Sequence, residues 1–146
     1  MAINKTIAYQ NPENSTKATR QLGIFAERTL WIQAGIKGFE IFTPQNASVV
    51  DAIICRPGTR PVKIQVKTAK VQPTGKALTM VRKSNNVHYK KTDFDILAFF
   101  IREFERFHFV RWDKVDVVKY SFEVTRKTLN NWEVIDDFIN ETSSDR

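Results

Sequence analysis

The chain is poor in residues that cross-link it or ligate soft metals. It has one cysteine, Cys55, and two histidines, His88 and His108, in 146 residues. A single cysteine excludes an internal disulfide framework and fits a reducing, intracellular (cytoplasmic) setting. One Cys and two His fall short of a Cys/His zinc site, so any bound metal is expected to be a hard cation on oxygen ligands. No apolar run is long enough to span a bilayer, and the opening MAINKTIAYQNPENSTK lacks the apolar stretch of a secretory signal, so no membrane partner is expected. The most informative absence is local. Between Asp51 and Asp93 there is no acidic residue at all.

That acid-free stretch holds Arg56, Arg60, Lys63, Lys67, Lys70, Lys76, Arg82, Lys83, Lys90 and Lys91, in a chain of net charge +7. The C-terminal third leans the other way, with Asp113, Asp116, Glu123, Glu133, Asp136, Asp137, Glu141 and Asp145. A one-sided cationic segment inside a folded domain is the footprint of a polyanion partner, most often nucleic acid; its plain alternative is a solvated basic face. A hydrophobic fraction of 42% with eleven Phe gives enough apolar surface for a core. The length fits one domain over residues 1–146, with 1–14 as a loosely held arm.

Residues 14–35, NSTKATRQLGIFAERTLWIQAG, read as a helix capped by Ser15 or Thr16 and stopped at Gly35. Leu22, Phe25, Ala26, Thr29 and Leu30 form its apolar stripe, and Glu27 flanks it. GFEIF (38–42) is a short strand, SVVDAIIC (48–55) a central strand interrupted by Asp51, and VKIQVKT, across RPGTRP, its hairpin partner. Residues 77–82 suggest an edge strand, and KSNNVHYKK a basic loop or short helix. DFDILAFFI (93–101) and RFHFVRW (106–112) pair across REFE, and a turn and short strand follow. Leu129, Trp132, Ile135, Phe138 and Ile139 mark a final helix, with Asp136 and Asp137 outward. The order of elements predicts one α/β or α+β domain.

In VKIQVKTAK (62–70), Gln65 and Lys67 project from one face, about 6.5 Å apart along the strand. Asp51, on the neighbouring strand, falls roughly level with them. Glu27 enters the same neighbourhood if its helix covers that face. Two carboxylates, an amide and an ammonium then gather beside a basic surface. Magnesium takes oxygen ligands: Asp51, Glu27 directly or through water, and the carbonyl of Gln65 or the backbone carbonyl of Val66. Lys67 is placed to orient or deprotonate a water, or to counter charge building on phosphorus. The plain alternatives are a structural Asp51–Lys67 ion pair, an exposed Glu27, and a Gln65 on a solvent face.

Glu27, Asp51 and Gln65-Val66-Lys67, in that order, resemble the PD-(D/E)XK nuclease superfamily. GIFAERTLWIQAGI, SVVDAIIC, VKIQVKTAK and KKTDFDILAFF are similar to its small archaeal-type, junction-resolvase-like branch. QVKT most resembles the intron-encoded homing endonucleases of that superfamily found in cyanobacteria. The resemblance spans about residues 18–101. It implies a restriction-endonuclease-like core, a mixed β-sheet flanked by helices, and magnesium-dependent hydrolysis of DNA. It also implies Asp51 and Glu27 as metal-site carboxylates, Gln65 at the usual acidic position, and Lys67 as the catalytic lysine. Val50 stands where the motif has Pro. Gln65 in place of an acid lowers the negative charge of the site; in the homing-type branch that Gln is the working residue.

The partner expected on this basis is double-stranded DNA. Arg56, Arg60, Lys70, Lys76, Arg82, Lys83, Lys90 and Lys91 are candidate DNA contacts, and Asn85 and Asn86, with Gln72 and Arg82, candidate readers of base edges. Phe99, Phe100, Phe107, Phe109 and Trp112 suit core packing or a subunit interface, and their density favours a homodimer or homotetramer with one site per DNA strand. His88, His108 and Cys55 are expected to be structural. The functional readings are a sequence-specific homing-type endonuclease, a Holliday junction resolvase or other structure-selective nuclease, a DNA-binding module without catalysis, and a basic assembly protein.

Overall fold

The computed structural model describes residues 12–46, 49–81, 88–115 and 119–143. Helix α1 (Pro12–Ile36) begins earlier than its cap residues suggest. Proline suits a first helical turn, because its missing N–H has no partner there and its φ is already helical. Residues 12–14 therefore belong to the helix and not to an arm, and Ser15 and Thr16 lie within it. The stop is Gly38, not Gly35. Gly38 has φ +88°. Its N–H bonds to Gly35 O at 3.0 Å and the Phe39 N–H to Ala34 O at 3.0 Å, a Schellman closure that needs the left-handed residue glycine supplies.

Among the described residues seven strands follow: β1 (Glu40–Phe42), β2 (Ala52–Cys55), β3 (Val62–Val71), β4 (Lys76–Met80), β5 (Ile96–Ile101), β6 (Arg106–Arg111) and β7 (Lys119–Glu123). A short 3-10 turn (Trp112–Lys114) lies between β6 and β7, and helix α2 (Glu133–Ser143) ends the fold. The strands form one mixed sheet. Its neighbours are β1-β2-β3-β4-β7, with β5 pairing β3 and β6 pairing β5. Every pair is antiparallel except β3–β5, which runs parallel from Ile64↔Ile96 to Ala69↔Ile101. Every residue of β5 is buried, which accounts for its uninterrupted apolar run.

Other elements also depart from the sequence reading. Strand β2 starts at Ala52, not at residue 48. Asp51 closes its ladder with an N–H bond to Ile64 O, and Val49 and Val50 pack on the opposite side of the sheet from Ala52 and Ile54. Strand β4 is no edge strand, because β7 covers its outer side. Leu129 and Trp132 precede α2, and Leu129 packs on the face away from it.

Both helices cover one face. There Ala26, Leu30 and Ala34 of α1 and Ile135, Phe138 and Ile139 of α2 meet Ala52, Ile54, Ile64, Ile96, Ala98 and Phe100. Trp132 joins them, so it serves the stripe from outside the helix. The other face is closed by Phe94, Leu97, Phe99, Ile101, Trp112 and Phe122. Phe99, Phe100, Phe107, Phe109 and Trp112 are thus buried within this one chain and leave no surface for a partner. The free edge of β6 is covered by an amide: the Phe109 N–H donates to Asn131 Oδ1 at 2.7 Å, and Asn131 Nδ2 donates to Phe109 O at 2.9 Å.

His108 lies in the second core, its ring stacked 3.9 Å from that of Phe122, with Nδ1 2.7 Å from Thr128 O. Burial holds its pKa below the ordinary histidine value, against the Thr128 bond, which pulls it up. The unfolded chain therefore takes up this proton first on acidification. The stability that depends on neutral His108 is complete above the ordinary pKa of about 6.5 and is lost as pH falls below it. Melting temperatures recorded on the acid side are expected to fall less steeply in His108→Phe than in the parent; equal slopes would contradict this.

Candidate active site

The site grows out of an interruption in the sheet. On the edge of β3 away from β5, β2 stops pairing at Ala52↔Ile64 and β4 pairs only from Lys70↔Leu78. Between them the backbone of β3 finds side chains in place of a strand. The Val66 N–H donates to Asp51 Oδ2 at 2.8 Å, and the Thr79 hydroxyl donates to Thr68 O at 3.0 Å. In a strand the N–H and C=O of one residue face the same edge, so the Val66 carbonyl opens into this gap too. It accepts a bond from Gln65 Nε2 at 3.2 Å. Continuing the β2–β3 register by one residue sets Asp51 opposite Gln65.

The arrival of Glu27 differs from the simplest expectation. Ile64 packs under α1, whereas Gln65 and Lys67 lie level with Leu97 and Phe99, whose side chains belong to the far face. Helix α1 therefore covers the side opposite Gln65 and Lys67. Glu27 nevertheless meets Asp51, because the ladder is open there. Both carboxylates line one pocket of about 360 Å³, with Trp31, Thr43, Pro44, Asn46 and Val50. Trp31 was not anticipated, although its place one turn beyond Glu27 on the same helical face is a readable signal.

Electrostatics bind the set together through Asp51. Burial raises the pKa of Asp51, while the Val66 N–H and the Lys67 ammonium pull it back. Burial also raises the pKa of Glu27, and the neighbouring Asp51 carboxylate pushes it further. Two acids in a shared pocket, both raised by burial and one raised further by the other, form an anionic site that a cation would relieve. The donors are all oxygen: two carboxylates and the Val66 carbonyl, a set suited to a hard divalent ion that keeps some of its waters. Among the described residues no three His, Cys, Asp or Glu side chains gather as a cage. Lys67 lies beside Asp51, its Nζ 5.2 Å from the centroid of the Tyr89 ring.

The basic stretch divides when folded. Arg56 pairs with Asp136 at 2.9 Å, donates to Lys37 O at 2.8 Å and stacks on Phe39. Arg60 lies 3.6 Å from Asp95 and over the Phe138 ring. Both sit at the turn end of the β2–β3 hairpin, away from Asp51. Lys91 donates to Trp112 O at 3.0 Å and to Val115 O. Lys70, Lys76 and Lys90 are exposed. Arg82, Lys83, Asn85 and Asn86 lie outside the described residues.

No helix among the described residues is long and apolar enough to cross a membrane. No protein-family model matches the chain, and no curated protein matches it. Among solved structures the chain is similar to a bacterial homing endonuclease, I-Ssp6803I, with a TM-score of 0.72 and 20% identity, over 86% of this chain and 96% of that one. The two share a fold.

Proposed function

We propose that the chain is a DNA endonuclease of the homing type, hydrolysing phosphodiester bonds in both strands with the help of magnesium. The observation that carries this reading is the open edge of β3, where Glu27 and Asp51 line one pocket with Lys67 beside Asp51. The shared fold with a protein described as a homing endonuclease supports it, as does the resemblance to PD-(D/E)XK nucleases.

Asp51, Glu27 and the Val66 carbonyl would hold the ion. When bound, it would polarise the phosphoryl oxygens and lower the pKa of a coordinated water. The chain's own groups do the rest. Gln65 steadies the Val66 carbonyl without adding charge. Lys67 brings an ammonium to the phosphate, where it orients the attacking water and counters charge developing as the new P–O bond forms and the old one breaks. Exposed Lys70, Lys76 and Lys90 fit backbone contacts, which set position without reading sequence. The symmetric homo-oligomer that two-strand cutting calls for would draw on exposed apolar residues such as Ile24, Ile32, Ile36 and Phe42, since the core aromatics are already used.

Incubation with long linear duplex and with four-way junctions, in magnesium or in chelator, tests the reading. Discrete fragments from linear duplex in magnesium alone are expected. Cleavage confined to junctions would instead assign a structure-selective nuclease. Binding without cleavage on either substrate would assign a DNA-binding module.

A further inference from the structure

Tyr89 is 22 residues from Lys67 in sequence and reaches it across the sheet's second face. Its ring packs against an aromatic pair, edge-on to Phe94 at 5.1 Å and perpendicular to Trp112 at 6.1 Å, the two lying 5.0 Å from each other. The segment carrying it is tied to the sheet at several points. Trp112 Nε1 donates to Lys90 O at 2.7 Å and Lys63 Nζ donates to Thr92 O at 3.2 Å, while within the segment the Lys90 N–H donates to Asp93 Oδ2 at 2.8 Å. Lys91 Nζ lies 4.8 Å from the Trp112 centroid and donates to Trp112 O. The ring is half-buried against this pair, and Lys67 Nζ lies over it, 5.2 Å from its centroid.

We infer that Tyr89 is a positioning residue for Lys67: its ring face restricts the lysine side chain to the edge of β3 where Asp51 lies. A lysine has four rotatable bonds and loses much rotamer entropy when confined, and a fixed aromatic face meets part of that cost in advance by attracting the ammonium. The attraction belongs to the ring and not to the phenol hydroxyl. The inference deepens the nuclease reading and rests on it for its kinetic consequence, but the geometry itself is testable without cleavage.

The experiment uses the full chain and four variants: Tyr89→Phe, Tyr89→Leu, Lys67→Arg and Lys67→Ala. In lysine-labelled protein, the ε-methylene resonance that disappears in Lys67→Arg is expected to be shifted upfield by the ring current. The shift should persist in Tyr89→Phe and vanish in Tyr89→Leu. On a cleaved duplex, Tyr89→Leu should lower kcat about tenfold with KM nearly unchanged, and Tyr89→Phe should retain parental kcat. A Lys67 resonance without an upfield shift in the parent overturns the inference even if Tyr89→Leu fails to fold. So does parental kcat in a folded Tyr89→Leu. If Lys67→Ala cuts at the parental rate, the nuclease reading of Lys67 falls, whatever the resonance shows.

Discussion

Replacing Asp51 with asparagine is expected to reduce cleavage by at least ~10²-fold while the ion-free chain becomes as stable as the parent or more so. The two effects have one cause. Asp51 holds its charge in a half-buried place where desolvation raises its pKa, only partly offset by the Val66 N–H and Lys67. An acid whose folded pKa lies above its unfolded one loses stability as pH rises from the ordinary carboxylate value through the raised one. Above that raised value the parent carries the whole cost. Asparagine is neutral, and its carbonyl oxygen still accepts the Val66 N–H, so the fold keeps the bond and sheds the charge. Melting temperature and cleavage rate on the same preparations check this. A structural Asp51–Lys67 ion pair predicts the reverse: a destabilised variant with parental cleavage.

The second large effect is expected at Lys67. Lys67→Ala should cut about 10²–10⁴-fold more slowly, while duplex affinity falls only modestly and the salt dependence of binding loses about one phosphate contact. The lysine is one cation among several for binding, but the cation beside Asp51 for chemistry. Filter binding across a salt series, together with initial cleavage rates, separates the two. Equal losses in affinity and in rate would make Lys67 a phosphate contact only.

How far the sequence led differs from residue to residue. The strands β2 and β3 were legible because alternation and the RPGTRP turn both point to a hairpin, and the level of Asp51 with Gln65 follows from that hairpin. Which face α1 covers was not legible. β5 is apolar all round, so its pattern favours neither side, and VKIQVKT does not show that the ladder beside it is broken. Glycine spacing pointed to Gly35, whereas the stop depends on which residue takes φ > 0, and that is Gly38. Nor does the basic stretch show that Arg56 and Arg60 have acidic partners within the chain. A list of charges cannot separate a cation free to meet phosphate from one paired with Asp136, 80 residues away. Tyr89 carries no periodic signal, and its contact with Lys67 exists only through the packing of Phe94 and Trp112.

The claim on which the account rests is that the open edge of β3 holds a divalent ion on Asp51, Glu27 and the Val66 carbonyl. Its most direct test is titration of the full chain with manganese in the presence of a short duplex, followed by the loss of the free-ion electron paramagnetic resonance signal. The account predicts saturable binding to the parent, weakened at least about tenfold in both Asp51→Asn and Glu27→Gln. Binding of equal strength in all three proteins would contradict it.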